Sequence, residues 1–326
     1  IANRGVIAIR ALRAAKELGY QVASVYSTVD KDQKHLKLSD EAICIGPAEA
    51  KDSYLNEAAI ISAAELVGAD AIYPGYGFLA ENSSFAEKCN QSGFKFVGPN
   101  SQVIEIMGDK IKAKELIESL GVPVVPGYTG DIKDQDHIEG IVEGIGYPVI
   151  VKASAGGGGK GMRVVQNREE LWDSVVSAQN EAEFAFGNGE VFIEKYLQKP
   201  RHIEVQVFGD GKGKVVHLFS RDCSLQRRYQ KVLEEAPARN LPEDKLNEIQ
   251  EICVKACSEL KYEGAGTLEF LYENNEFYFI EMNTRIQVEH TVTEMITGVD
   301  LVQAQLCLAI EGKFELEQEK LRINGI

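Results

Sequence analysis

The sequence predicts an α/β chain that becomes α+β in its C-terminal half. Residues 1–100 alternate short apolar runs with amphipathic stretches of roughly 10–15 residues, the pattern of a parallel sheet covered by helices. Past residue 200, turn signals at Gly209-Asp210-Gly211-Lys212-Gly213 and Asn274-Asn275 join strand-like runs directly, the pattern of antiparallel hairpins. Between the two, the apolar run Val149-Ile150-Val151 opens into four consecutive glycines, 156–159.

Taken in order, residues 6–18 have helical periodicity and stop at Gly19; residues 21–26 and 41–45 are strands, and 54–67 a helix. Residues 71–73 and 95–97 are further strands. The first turn, Asn3-Arg4-Gly5, lacks the GxGxxG fingerprint, which argues against a nicotinamide enzyme. Residues 101–122 read as one long helix broken by Gly121-Val122-Pro123. From about residue 123 to residue 200 the order is strand, glycine loop, strand, helix, strand, and from 201 onward the chain is antiparallel. Because the chain opens on Ile1 and closes on the strand-like Arg322-Ile323-Asn324-Gly325-Ile326, missing residues are expected at both ends.

The 326 residues suggest two domains, or one interrupted by an insertion. Lys and Arg number 35 against 50 Asp and Glu, a formal charge of −15 without basic clusters, which argues against nucleic acid or an anionic membrane as partner. No window approaches the ~18 apolar residues of a membrane span, and no signal peptide is visible. The six cysteines, Cys44, Cys89, Cys223, Cys253, Cys257 and Cys307, contain no CxxC; buried reduced thiols in a reducing, cytoplasmic compartment are expected.

Three segments could carry chemistry. In the first, residues 149–165, glycines let backbone N–H groups approach a phosphate, and Lys152 and Lys160 bracket the loop with charge; the alternative is a flexible hairpin. In the second, residues 281–289, every odd position (Glu281, Asn283, Arg285, Gln287, Glu289) is polar or charged and would share one face of an extended chain; the alternative is a half-solvated strand. Glu269 joins this face only if the 274–275 turn is a three-residue loop or carries a bulge, since a plain two-residue loop sets it opposite Ile280. Two glutamates and an Asn would then offer hard oxygen ligands suited to Mg²⁺. The third segment, residues 221–235, holds Arg227, Arg228 and Lys231 and by itself reads as a surface patch balanced by Glu234 and Glu235. His202 alone would be a strand histidine and Tyr76 a turn aromatic.

Together, Ile1-Ala2-Asn3-Arg4-Gly5, Pro74-Gly75-Tyr76-Gly77-Phe78-Leu79, Met107-Gly108-Asp109-Lys110, the 152–163 glycine loop, Glu194-Lys195-Tyr196-Leu197, Arg221-Asp222-Cys223-Ser224, Gln230-Lys231-Val232 and residues 281–290 resemble the biotin carboxylases, an ATP-grasp family, over the whole chain. The resemblance implies an N-terminal Rossmann-like domain over 1–108 and an ATP-grasp domain over 109–310 with a lid subdomain at about 125–197. A truncated C-terminal β domain would begin at 311–326. It implies ATP contacts from Lys110, Lys152, Gly157, Gly158, Gly159, Met162, Glu194, Lys195, Tyr196, Leu197, His202, Gln226, Tyr229 and Leu271, with Glu194, Lys195 and Leu197 forming the adenine hinge. Glu269, Glu281 and Asn283 would hold Mg²⁺ (or Mn²⁺). Lys231, Arg285, Gln287 and the Val288 backbone would hold bicarbonate, Glu289 would be its general base, and Tyr76 would lie near biotin. Tyr229 stands where the family often has His, and an arginine that the family carries beyond residue 326 is not in this chain.

The implied reaction is ATP-dependent carboxylation of carrier-bound biotin, the first half-reaction of acetyl-CoA carboxylase in fatty acid synthesis. The implied partners are a biotin carboxyl carrier protein, carboxyltransferase subunits and a second copy of the chain. The same domain within a multidomain pyruvate or acyl-CoA carboxylase, another ATP-grasp ligase, and a silent nucleotide-binding regulator are the alternatives. The glycine loop, 155–161, is expected to order over bound phosphates.

Overall fold

A computed structural model describes residues 1–154, 162–228 and 230–324. The expectations placed on the 155–161 loop, including Gly157, Gly158 and Gly159, and on Tyr229 lie outside these residues.

The first hundred residues form the expected parallel α/β unit. Strand β1 (Ala23–Ser27) pairs in parallel with β2 (Glu41–Gly46), and β3 (Ala71–Ile72) with β4 (Lys95–Phe96). The helix Gly5–Glu17 ends where Gly19 takes a positive φ of 82°, the conformation that let glycine mark the stop. Helices Glu57–Leu66, Ser83–Gln91 and Ser101–Gly108 each begin after an asparagine, Asn56, Asn82 and Asn100, whose side chain accepts from the third backbone N–H beyond it. The single helix expected over 101–122 is two. Asp109 caps a second helix, Lys110–Ser119, by accepting from the N–H groups of Ile111 and Lys112 at 3.1 Å each. The break sets Lys110 and Lys114 one turn apart on one helix face.

Next comes a four-stranded antiparallel sheet of β5 (Gly127–Tyr128), β6 (Val149–Ala153), β7 (Met162–Val165) and β8 (Val191–Lys195), in the order β5-β8-β6-β7. Helices Gln135–Ile145 and Leu171–Phe186 cover one face, burying Ile138, Val142, Leu171 and Val175 against Val149, Val151 and Ile193.

The C-terminal half is built on a five-stranded antiparallel sheet, β9 (Arg201–Asp210), β10 (Val215–Arg227), β11 (Gln230–Glu235), β12 (Glu263–Glu273) and β13 (Glu276–Asn283), in the order β11-β10-β9-β12-β13. One face presents Ile203, Val205, Val207, Leu268, Phe270 and Phe279 to the helix Glu243–Glu259, where Cys253 and Cys257 are fully buried core residues. The other face presents Phe208, Val216 and Ala265 to the helices Leu301–Glu311 and Gly5–Glu17, so the N-terminal unit and the sheet share one core. All six cysteines are free. Cys89, Cys223, Cys253 and Cys257 are buried, whereas Cys44 is exposed and Cys307 partly so, correcting the expectation of uniform burial.

The β12–β13 hairpin turns through two residues, Asn274 and Asn275, both at positive φ (55° and 65°), and not through a three-residue loop. A bulge further along corrects the register: Phe270 pairs with Phe279, yet Glu269 pairs with Glu281, so Ile280 is the extra residue. This switches side-chain parity. Before the bulge the odd residues Phe277 and Phe279 face the core; after it the core takes Met282, and odd-numbered Glu281 and Asn283 turn to the other face. Residues 284–289 then leave the sheet and are not an extended strand. Fully buried Ile286 anchors them in the core. Among the described residues, no helix is long and apolar enough to cross a membrane.

Gly209 lets β9 pass close to the 262 peptide, because a Cβ at 209 would overlap the Tyr262 carbonyl. Gly209→Ala is expected to destabilise the protein by about 1–3 kcal/mol through overpacking, read as a fall in Tm. An unchanged Tm would contradict the packing described.

Candidate active site

A cleft of about 670 Å³ separates the four-stranded from the five-stranded sheet. Its walls include Lys110, Lys152, Met162, Glu194, Lys195, Tyr196, Leu197, His202, Gln226, Lys231, Glu269, Leu271, Glu281, Asn283, Arg285, Gln287, Val288 and Glu289, each expected from the sequence. Among the described residues, Tyr76 is the expected one that does not line this cavity. It lies half-buried at its edge, near enough to Glu289 that this charge, after burial, raises its hydroxyl pKa. Asn3, buried at the other end of the sequence, donates to the carbonyls of Pro74 and Tyr76 at 2.7 and 2.8 Å and so fixes that turn.

At one end of the cleft two lysines meet on one carboxylate, with the charge of Lys110 close enough to act on both. Lys152 lies 2.6 Å from buried Glu194, and Lys114 touches the other Glu194 oxygen. Burial first, then the charge of Lys110, lowers Lys152 to about 8. Burial, then the charges of Lys152 and Lys110, lowers Lys114 to about 7. More cation than anion in a desolvated pocket is a place where a polyanion gains affinity and restores the lysine charges. Lys195 turns its ammonium away, onto the carbonyls of Gly146 and Tyr147 at 2.9 Å each.

At the other end lies a charge cluster on the face that the bulge creates. The Lys231 ammonium donates to Glu269 at 2.8 Å and Glu289 at 2.6 Å, and touches Glu204. Burial opposes a charged lysine here, but the three carboxylates hold Lys231 well above its ordinary range. His202 approaches Glu269 at 2.8 Å and Glu204 at 3.2 Å; against the effect of burial these raise its imidazole to about 9. Glu204 itself, against its burial, is held well below the usual carboxylate range, chiefly by Arg221. Arg285 bridges Glu81 (2.8 Å) and Asn283 (2.6 Å).

The metal question turns on Glu281. Its carboxyl is raised by burial and then by the charge of Glu269 directly across the hairpin, with Lys110 and Lys231 pulling against them. A hard divalent cation between these acids removes both penalties, so the carboxylate pair fits Mg²⁺. Asn283, whose Nδ2 donates to Glu269 at 2.8 Å while its Oδ1 accepts from Arg285, would add its oxygen by turning its amide. His202, Glu204 and Glu269 also lie within metal-ligand reach of one another, but Lys231 and Arg221 already neutralise that group.

Several residues of this site were not anticipated from the sequence. Lys114 could have been found as the helical neighbour of Lys110, and Glu204 as the strand neighbour of His202, two residues along the same face. Glu81 carried no local signal. Arg221 belongs to the segment read as a surface patch, yet its side chain is fully buried.

A two-subdomain nucleotide cleft with a lysine end and a metal-competent acidic end defines an ATP-dependent ligase. The family model for the biotin carboxylase N-terminal domain matches residues 1–104, and that for the carbamoyl-phosphate synthase L chain ATP-binding domain matches 109–317. The chain is 56% identical over its whole length to the biotin carboxylase of Pseudomonas aeruginosa, covering 73% of that protein. Among solved structures, the biotin carboxylase–β,γ-ATP complex of Campylobacter jejuni superposes with a TM-score of 0.94 at 51% identity, over 99% of this chain and 73% of that one. The biotin carboxylase domain dimer of Hydrogenobacter thermophilus 2-oxoglutarate carboxylase, with MgADP, ADP and bicarbonate, gives 0.93 at 50%, over 99% and 72%. This chain belongs to the biotin carboxylase family.

The raised imidazole makes a prediction about stability. A group whose folded pKa (about 9) exceeds its unfolded value (6.5) stabilises fully below 6.5 and loses that contribution as pH rises through 9. The stability difference between wild type and His202→Gln, from urea titrations, is expected to shrink by about 3 kcal/mol from pH 6.5 to pH 9, at 1.36 kcal/mol per pH unit. A difference that is flat with pH would contradict the ion pairs of His202.

Proposed function

We propose that this chain performs the first half-reaction of a biotin-dependent carboxylase, in which bicarbonate and ATP give carboxyphosphate and ADP and biotin then captures the CO₂. The observation that carries this reading is the wall on which the Lys231 ammonium meets the Glu289 carboxylate, with Arg285 and Gln287 beside them. Such a wall offers a base and several donors to a small planar oxyanion. The Hydrogenobacter structure, which holds MgADP and bicarbonate together, supports the pairing of ligands.

In this reading Glu289 takes the proton of bicarbonate, held by Lys231, Arg285, Gln287 and the Val288 backbone. The freed oxygen attacks the γ-phosphorus, the bond to the β-phosphate oxygen breaks, and ADP leaves. Lys110, Lys152 and His202 meet the phosphates and ribose; Met162, Tyr196, Leu197, Gln226 and Leu271 enclose the nucleoside, with the 194–197 backbone along the adenine edge. Glu269, Glu281 and Asn283 would hold Mg²⁺, which would neutralise charge on the transferred phosphoryl group. Carboxyphosphate then splits into CO₂ and phosphate. Phosphate accepts the proton of biotin N1′, and that nitrogen bonds CO₂ near Tyr76.

The working unit extends from 1–108 to an ATP-grasp domain at 109–310 with its lid at about 125–197, and residues 311–326 open a third domain. Identities of 51–56% to proteins named biotin carboxylase, against 50% to carboxylase subunits acting on methylcrotonoyl-CoA, 2-oxoglutarate or pyruvate, lean toward the acetyl-CoA carboxylase setting. A biotin carboxyl carrier protein, carboxyltransferase subunits, a homodimeric state, fatty acid synthesis and the cytoplasm follow from that setting.

Bicarbonate and free biotin should stimulate ATP hydrolysis by the full-length protein; ADP release indifferent to bicarbonate would assign the cleft to another ligase chemistry. Glu281→Gln should raise the Mg²⁺ requirement and lower kcat more than it weakens ATP binding. An equal loss in both would remove Glu281 from the metal site.

A further inference from the structure

Arg221 is fully buried beneath the bicarbonate wall and does not line the cleft. Its guanidinium reaches five side chains from four segments. Nε donates to Glu204 at 3.1 Å, with Nη2 lying 3.0 Å from the same carboxylate, and Nη1 donates to Gln206 Oε1 at 2.7 Å and Thr293 Oγ1 at 3.0 Å. Nη2 also donates to Thr267 Oγ1 at 3.1 Å and to Gln287 Oε1 at 2.5 Å. The last contact bears on chemistry. A guanidinium only donates, so Gln287 must turn its carbonyl oxygen toward Arg221 and its NH₂ away. One of those N–H groups donates to Glu269 at 2.7 Å, and a second remains on a residue that lines the cleft. With its amide the other way round, Gln287 would offer bicarbonate an acceptor, which repels an anion.

We infer that Arg221 is a positioning residue that sets the amide polarity of Gln287, so that the cleft meets an N–H donor where bicarbonate binds. The inference rests on the reading of Gln287 as a bicarbonate contact, and it adds the cause of that donor's orientation. The four other partners brace the guanidinium: Glu204 balances its charge, and Gln206, Thr267 and Thr293 use its remaining protons, so it cannot swing to follow the amide. Lysine has the charge but not the planar fork, and methionine has neither.

A double-mutant cycle in the full-length protein separates the two claims. Gln287→Ala should raise the KM for bicarbonate on the order of 10-fold, with kcat and the KM for ATP changed far less. Arg221→Met should do the same, and the double variant should be no worse than either single one. Line broadening of ¹³C-bicarbonate in the presence of MgADP should report the same loss of binding without turnover. If Gln287→Ala leaves the bicarbonate KM unchanged, the reading of Gln287 fails and this inference falls with it. If Gln287→Ala raises the KM but Arg221→Met does not, or the two effects multiply, the coupling is refuted while the bicarbonate reading stands. Should Arg221→Met fail to fold, Arg221→Lys carries the cycle, with the same elevated bicarbonate KM expected. Failure of both variants to fold would leave Arg221 a role in stability alone and overturn the inference.

Discussion

The site is organised by the need to keep buried carboxylates neutralised. Glu204, Glu269 and Glu289 are buried together, with Lys231, His202 and Arg221 standing between them to balance their charge. Removing one partner from such a group costs several kcal/mol, because it leaves a buried charge uncompensated. The order of the central strands follows from this constraint. β9 brings His202 and Glu204, β12 brings Glu269, and β10 and β11 bring Arg221 and Lys231, so β9 has to lie between β10 and β12. Glu281 sits beyond the compensated group with a raised carboxyl, and there the site is left ready for a further cation.

The N-terminal unit serves the same wall from the opposite side. Glu81 accepts from Arg285 Nε and from the Thr284 backbone N–H, and Asn3 holds the turn that carries Tyr76. Arg4 rests over the rings of Tyr54 and Phe78 while pairing with Asp30, which locks that turn to the parallel sheet. The motif strings at residues 1–5 and 74–79, far apart in sequence, are therefore one structural unit. Their chemistry is mainly that of positioning.

Much of this was legible because local rules act locally. Alternating apolar runs gave the parallel unit, Gly19 its first helix stop, and Asn274-Asn275 a hairpin. The odd-numbered polar set at 281–289 marked the acidic wall, although residues 284–289 reach it by leaving the sheet. What escaped the sequence was set by tertiary contacts. Asp109 splits a helix that periodicity alone makes continuous, and the bulge that the shared face of Glu269 and Glu281 required falls at Ile280, away from the turn, where no turn residue marks it. Arg221 carried no local sign of burial because its five acceptors are scattered from residue 204 to residue 293.

The central claim is that the γ-phosphoryl group of ATP passes to bicarbonate. The most direct test incubates the full-length protein with ATP, Mg²⁺, biotin and ¹⁸O-labelled bicarbonate, and measures the isotope in the inorganic phosphate released. Attack by a bicarbonate oxygen leaves that oxygen on phosphorus, so the account predicts one labelled oxygen per phosphate formed in the biotin-dependent reaction. Unlabelled phosphate, whose fourth oxygen comes from solvent, would mean that water, and not bicarbonate, receives the phosphoryl group, and would contradict the account.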